Sequence, residues 1–139
     1  MIAEVVLDTN VLVYAVSRAA DDVAKRRIAL ELIETRNVGL SGQILQEFFV
    51  VVTKKNRRVL SADDALDWIE SFEDFPIVPI DASLVRRGAE LSERYQISYR
   101  DGAVVAAAQA LQAATLYTED LNHNQLYGDV RVVNPFRPS

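Results

Sequence analysis

The chain has 139 residues, of which 50% are hydrophobic and 25% are charged, and its formal net charge is -5. This is enough for one domain with a sizeable core, so we expect a single domain over residues 1–139, without a signal peptide or membrane span and with a cytoplasmic location. The lack of cysteine excludes disulfides, thiolate zinc sites and a cysteine nucleophile, and the acidic balance argues against a protein that merely coats nucleic acid.

Short apolar runs alternate with longer segments of helical periodicity in the first half of the chain. Residues 2–7 are mostly apolar and rich in β-branched side chains, which predicts a buried strand. The next predicted elements are a short helix at 10–17, a helix at 22–36, a strand at 38–40, and a helix that Ser41 caps and that runs to about residue 55.

The second half continues this alternation. Ser61 is placed to cap a further helix, and residues 75–80 form a predicted strand in which Pro79 favours the edge of a sheet. A helix marked by Leu84 and Tyr95 follows, then a small-residue, buried helix at 101–111 and the strands 115–117 and 130–133. Strands separated by helices predict an α/β fold with a mostly parallel sheet that is covered on both faces.

Acidic residues follow two of the predicted strands directly. Asp8 comes after the first strand, and Glu119 and Asp120 come shortly after the fourth. Ligands of an open α/β sheet bind beyond the carboxyl ends of its strands, so both positions are candidate sites. Helix capping is the competing explanation, because Asp is a favoured cap residue.

Two further carboxylates belong to helices. Glu47 is the only acidic residue in an otherwise apolar helical stretch, so its charge needs a cation, an arginine or a metal ion as partner. Asp101 follows Ser98 in a capping-box pattern at the start of the small-residue helix, and a cap is compatible with a catalytic role. Several carboxylates without cysteine favour a hard cation such as Mg²⁺ or Mn²⁺, which activates water and neutralises a phosphate.

Other chemistries lack the residues they require. His123 is the only histidine and lies in a polar, loop-like stretch, where a solvated surface residue is expected more often than a catalytic base. The five glycines match neither the dinucleotide-binding nor the phosphate-loop pattern.

Four segments, taken together, resemble the PIN domain family, in particular the VapC-like toxins of toxin–antitoxin pairs. The resemblance covers nearly the whole chain and rests on four acidic motifs in order. These motifs are VVLDTNVL at 5–12, SGQILQEFF at 41–49, YRDGAVVAAA at 99–108, and TEDL at 118–121 with VRVVNPF at 130–136.

The resemblance implies a three-layer fold with a five-stranded parallel sheet in the order 3-2-1-4-5, and Mg²⁺- or Mn²⁺-dependent cleavage of RNA. It assigns catalysis and metal binding to four acidic side chains: Asp8, Glu47, Asp101 and Asp120. It leaves open whether Glu119 assists or replaces the last of these. It assigns supporting polar roles to Asn10 and Thr118, and the chain departs from many relatives at Asn124, where they have glycine.

The resemblance also implies partners. VapC-like proteins commonly form homodimers and bind a small VapB-like antitoxin that covers the acidic pocket. RNA phosphates need positive charge, and a solvated charge run is the competing explanation for each basic residue. The candidate phosphate contacts are Lys54, Lys55, Arg57, Arg58 and Arg100, with Arg86 and Arg87 as further candidates.

Two competing functions remain at this point. A receiver-like domain would need an acidic pair near the first strand, where Asp8 is followed by Thr9 and Asn10, and a lysine after the last strand, where 130–136 has none. A phosphatase-like domain would need a second aspartate where Asn10 stands. The second alternative is a PIN-fold binding domain that cuts nothing. Retention of all four acidic positions argues against it, because such a domain has no need of them.

Overall fold

Buried strands of β-branched and leucine residues form the centre of the molecule in the computed structural model, which describes residues 1–138. Six strands are present in this range: β1 (Val5–Leu7), β2 (Val38–Ser41), β3 (Ile77–Val78), β4 (Thr115–Tyr117), β5 (Leu126–Tyr127) and β6 (Val130–Val133). Six α-helices surround them: α1 (Thr9–Val16), α2 (Val23–Thr35), α3 (Gly42–Val52), α4 (Ala62–Phe72), α5 (Ala82–Tyr95) and α6 (Tyr99–Ala110).

The strands form one sheet in the order β3-β2-β1-β4-β6-β5. The first five strands of this order are parallel, and β1 lies between β2 and β4. The predicted parallel sheet of order 3-2-1-4-5 is therefore confirmed, with the predicted fifth strand observed as β6. Residues Leu7 and Tyr117 are paired at the ends of β1 and β4, so the residues that follow these strands emerge side by side.

One strand was not predicted. β5 pairs antiparallel with β6 through a tight turn at Gly128, whose φ of +62° suits glycine. Just before β5, Asn124 has φ +70°, a left-handed conformation that asparagine tolerates better than most residues. This backbone explains why glycine is common at this position in the family that the sequence resembles.

The outer parts of two predicted strands are irregular. β1 begins at Val5 rather than at residue 2. The side chains of Met1 and Ile2 are exposed, so burial in a sheet does not stabilise a strand there. β3 has two residues at the edge of the sheet and ends before Pro79, which confirms the edge position that the proline predicted.

Helix α6 is buried along most of its length, as predicted, and packs closely on α5. All side chains from Gly102 to Ala108 are buried. A Cβ added at Gly102 would lie 2.4 Å from the carbonyl oxygen of Gly88 in α5, so only glycine permits this approach. The contact fixes the first turn of α6, which carries Asp101, against the rest of the fold.

Within residues 1–138, no helix is both long enough and apolar enough to cross a membrane.

Candidate active site

The side chains that follow β1 and β4 meet the helices α3 and α6 at the carboxyl edge of the sheet. Asp8 directly follows β1 and is fully buried. Its Oδ1 accepts the backbone N–H of Thr9 at 2.7 Å, and it is the N-cap of α1, so the capping expectation is also correct. Its Oδ2 accepts the hydroxyl of Thr118 at 2.9 Å, which ties the ends of the two strands together.

Arg100 joins three of the predicted carboxylates. Its Nη2 and Nη1 donate to Oδ1 and Oδ2 of Asp8 at 2.7 and 3.1 Å. Its Nε donates to Oε2 of Glu47 at 2.9 Å, and Nη1 also donates to Oδ1 of Asp101 at 3.1 Å. The acidic residues after β1, within α3 and at the start of α6 therefore converge on one guanidinium.

The electrostatics of Arg100 reflect this crowding of negative charge. Burial by itself lowers the pKa of the guanidinium, but the hydrogen bonds and charges of Asp8 and Glu47 outweigh it and raise the pKa well above its ordinary value. Arg100 is thus a permanent cation within the cluster. Arg100 is one of the candidate phosphate contacts of the sequence, and in this structure its guanidinium points inward to the carboxylates.

One arginine does not satisfy the cluster. Oε1 of Glu47 and Oε1 of Gln43, one helical turn apart on α3, are buried acceptors without a hydrogen-bond partner. The three carboxylates carry three negative charges and the guanidinium supplies one positive charge, so the four groups have a net charge of about -2. This excess charge and the partnerless carboxylate oxygen suit a further cation.

The donor chemistry therefore fits a hard divalent ion, since the available atoms are carboxylate and amide oxygens. As arranged around the guanidinium, however, no three acidic or histidine side chains among residues 1–138 lie together in a way that could hold a metal ion. The guanidinium of Arg100 occupies the space between the carboxylates, within hydrogen-bond distance of each.

Asp120 lies at the exposed rim of this cluster. Nδ2 of Asn10 donates to Oδ2 of Asp120 at 3.1 Å and to the hydroxyl of Thr118 at 3.0 Å. The backbone N–H of Asp120 also donates to the Thr118 hydroxyl, at 3.1 Å. Desolvation and the negative charge of Asp8 raise the pKa of Asp120, while its bond from Asn10 lowers it. The structure thus brings the fourth acidic residue and both supporting polar residues to the site.

A family model decides the relationship that the motifs suggested: the PIN domain model matches residues 5–129. The chain belongs to the PIN domain family. No curated protein sequence matches it significantly.

Solved structures of toxins share the fold of this PIN domain. The VapC20 toxin of Mycobacterium tuberculosis, described as cleaving the sarcin–ricin loop, is 17% identical with a TM-score of 0.67, covering 84% of this chain and 89% of its own. A toxin–antitoxin complex from Klebsiella pneumoniae is 20% identical, with a TM-score of 0.68 and coverage of 96% and 99%. VapBC2 from Rickettsia felis, bound to a DNA fragment from its promoter, is 22% identical, with a TM-score of 0.63 and coverage of 95% and 97%.

Glu119 of the PIN domain is turned away from the carboxylate cluster. Its Oε1 accepts the hydroxyl of Tyr14 at 2.8 Å, and its Oε2 lies 3.6 Å from Nζ of Lys25. Burial raises the pKa of Tyr14, which keeps its hydroxyl protonated as the donor. Asp120, and not Glu119, is therefore the acidic residue of this pair whose carboxylate bonds to Asn10 beside Asp8 in this structure.

Four of the predicted basic residues lie in the segment that follows α3, whereas Arg86 and Arg87 lie on α5. Lys54, Lys55, Arg57 and Arg58 are all exposed, as a solvated charge run requires and as a phosphate contact also requires. Two shallow depressions, of about 300 and 310 Å³, flank the cluster. The first is lined by Glu47 and Lys54, and the second by Asn10 and Asp120.

His123 has a structural role that the sequence did not suggest. Its Nδ1 accepts the backbone N–H of Asn134 at 3.0 Å, which fixes the loop before β5 against the end of β6. The ring is part-buried rather than fully solvated, and it makes no contact with the carboxylate cluster among the hydrogen bonds of residues 1–138.

Proposed function

We propose that this PIN domain is an Mg²⁺- or Mn²⁺-dependent endoribonuclease and the toxin of a VapBC-type toxin–antitoxin system. One observation carries the proposal: Asp8, Glu47 and Asp101 converge on a single cation at the carboxyl edge of the sheet, and a buried Glu47 oxygen is left without a partner. A site with this surplus of negative charge is suited to a divalent cation and costly to maintain for structure alone.

Four carboxylates would hold the ion, with Asp8 buried, Glu47 and Asp101 partly buried, and Asp120 exposed at the rim. When bound, the ion supplies Lewis-acid stabilisation of the phosphate and a water of lowered pKa for in-line displacement. The chain's own part is to keep the ligands in place. Thr118 holds the Asp8 carboxylate, and Asn10 links the hydroxyl of Thr118 to the carboxylate of Asp120.

The substrate must approach across the exposed rim, because Asp8 is fully buried and Asp120 is exposed. The basic segment 54–58 lies next to the depression that Glu47 and Lys54 line, so we propose that it contacts RNA phosphates beyond the cleaved bond. Such contacts position the strand without reading its bases, so they leave the sequence preference to other residues.

We further propose that the chain acts in the cytoplasm, forms a homodimer and is inhibited by a VapB-like antitoxin that covers the acidic rim. The similar fold of the Klebsiella pneumoniae complex and of the Rickettsia felis VapBC2 complex supports a partner of this kind. The alternative is a PIN-fold binding domain that does not cleave. The unpartnered Glu47 oxygen favours the enzyme, since a silent domain gains nothing from it.

The test is cleavage of a labelled total-RNA pool, including ribosomal RNA, by the purified chain with Mg²⁺, with Mn²⁺ and with EDTA. We expect metal-dependent cleavage that Asp8→Asn abolishes and that Asp74→Asn retains, since Asp74 is an exposed aspartate outside the site. Circular dichroism of each variant controls for folding. Absence of cleavage in every condition by folded, antitoxin-free protein would favour the binding domain. Full activity of Asp8→Asn would instead overturn the carboxylate mechanism.

A further inference from the structure

Arg100 stands where the charge of the cluster calls for a cation. We propose that Arg100 and the divalent ion compete for the same carboxylates, so that the ion binds only after the guanidinium has turned out of the site. The inference rests on the proposed metal-dependent function and adds a step to it. Arg100 is then an internal placeholder that positions the metal ligands in the metal-free protein.

The lone pairs of Asp8 carry the first part of the argument. An ionised carboxylate has about four lone-pair sites. On Asp8, Oδ1 accepts from Thr9 and Arg100, and Oδ2 accepts from Thr118 and Arg100, which together fill all of them. The Thr9 donor is a backbone N–H and the Thr118 hydroxyl is fully buried, so both stay in place. Only the two lone pairs that Arg100 occupies can be opened to a metal ion.

The spacing of the cluster carries the second part. The guanidinium nitrogens lie 2.7 to 3.1 Å from oxygens of Asp8, Glu47 and Asp101. A magnesium ion needs ligand oxygens at about 2.1 Å, and it would meet the positive charge of Arg100 in the same space. The carboxylates must therefore close on the ion as the arginine leaves.

The partial exposure of Arg100 gives its guanidinium a route out of the carboxylate cluster. Its side chain is 30% exposed, and it projects from the first turn of α6, at the edge of the site. Rotation about its side-chain torsions moves the guanidinium outward without a change in the backbone of α6. The oxygens of Gln43 and Glu47 that lack a partner show that the arginine leaves acceptors unsatisfied. A divalent ion that binds these oxygens removes that cost.

Binding of Mn²⁺ to the metal-free protein, measured by calorimetry, tests the proposal without reference to cleavage. Arg100→Gln removes the competing cation, so we expect Mn²⁺ to bind about tenfold more tightly or better than to the wild type, because the competent fraction is no longer reduced by the guanidinium. Arg36→Gln is the matched control. It makes the same change of charge at an exposed ion pair with Glu4, and its affinity should stay at the wild-type value.

The wild-type protein provides a second readout that does not depend on the folding of a variant. The Nε–H of Arg100, bonded to Glu47, should give a protected proton–nitrogen NMR signal in EDTA, assigned by its loss in Arg100→Gln. Saturating Mg²⁺ should move this signal to the position of a free arginine. The Nε–H of Arg36 should not move.

The outcomes separate this inference from the proposed function. Mn²⁺ binding that is equal or weaker in Arg100→Gln, or an Arg100 signal unchanged at saturating Mg²⁺, overturns the competition and leaves the metal-dependent nuclease standing. Failure of Mn²⁺ to bind either protein overturns both. Tighter binding in Arg100→Gln together with a displaced wild-type signal supports the placeholder.

Discussion

Replacing Thr118 with valine should lower the free energy of unfolding of the metal-free protein by about 2–4 kcal/mol. The Thr118 side chain is fully buried at the end of β4. Its hydroxyl donates to Oδ2 of Asp8 and accepts hydrogen bonds from the Asn10 amide and from the backbone N–H of Asp120. Valine keeps the shape of the side chain and removes all three hydrogen bonds.

The magnitude follows from the kinds of bond lost. The bond to the buried, ionised Asp8 carboxylate is worth about 1.5–3 kcal/mol, because a charged acceptor loses a donor that water does not replace. The bonds from Asn10 and Asp120 to the hydroxyl are part-buried, so water replaces them in part, and together they add roughly 1 kcal/mol.

Urea denaturation in EDTA measures the change, with circular dichroism as the probe. Thr115→Val is the matched control, because Thr115 begins β4, the strand that Thr118 follows, and its hydroxyl makes no hydrogen bond within residues 1–138. Its effect should stay within about 0.5 kcal/mol. A Thr118→Val protein as stable as this control would refute the assignment of Thr118 as the residue that holds Asp8.

Three further outcomes are expected. Gly102→Ala should lower the melting temperature, with a loss of about 1–3 kcal/mol from overpacking against α5. Gly42→Ala should have little effect, because its Cβ meets the exposed side chain of Ile80 at 3.2 Å and backbone only at 3.7 Å. Asp120→Asn should raise the melting temperature in EDTA at neutral pH. Desolvation and the charge of Asp8 raise the pKa of Asp120 in the folded state above its ordinary 3.8. The stability that protonated Asp120 contributes to the wild type is therefore lost as pH rises through that pKa. The advantage of Asp120→Asn over the wild type should vanish in thermal scans below pH 3.8. Alanine at the basic residues of 54–58 should weaken RNA binding and flatten its dependence on salt, measured by fluorescence anisotropy, and an unchanged slope would place the RNA elsewhere.

The sequence was most informative where apolar periodicity decides the structure. The parallel strands, the buried α6 and the caps at Ser41 and Ser61 were all predicted, because burial and capping leave local signatures. Strand β5 was missed because it has only two residues. The Gly128-Asp129 pair between Leu126-Tyr127 and Val130 is a hairpin signal that could have revealed it.

For the site, the sequence predicted which side chains meet but not what holds them in the absence of metal. Glu47 was expected to need a cation, an arginine or a metal, and the structure supplies Arg100. The position of Arg100 next to Asp101 in the chain was the signal that could have identified it as the partner of Glu47. The direction of a long, flexible side chain depends on the charges that surround it in three dimensions, and no local pattern encodes that direction.

Both ends of the sheet have consequences for how copies of this chain can associate. One edge strand is β3, which has two residues and ends at Pro79, and the other is β5, which also has two residues and folds back from a tight turn. Neither offers the long row of free peptide groups on which another chain's strand could be templated, so the ends protect against fibrous aggregation. The proposed homodimer is therefore expected to form through side chains of its helices and loops, and not as a sheet continuous across two copies.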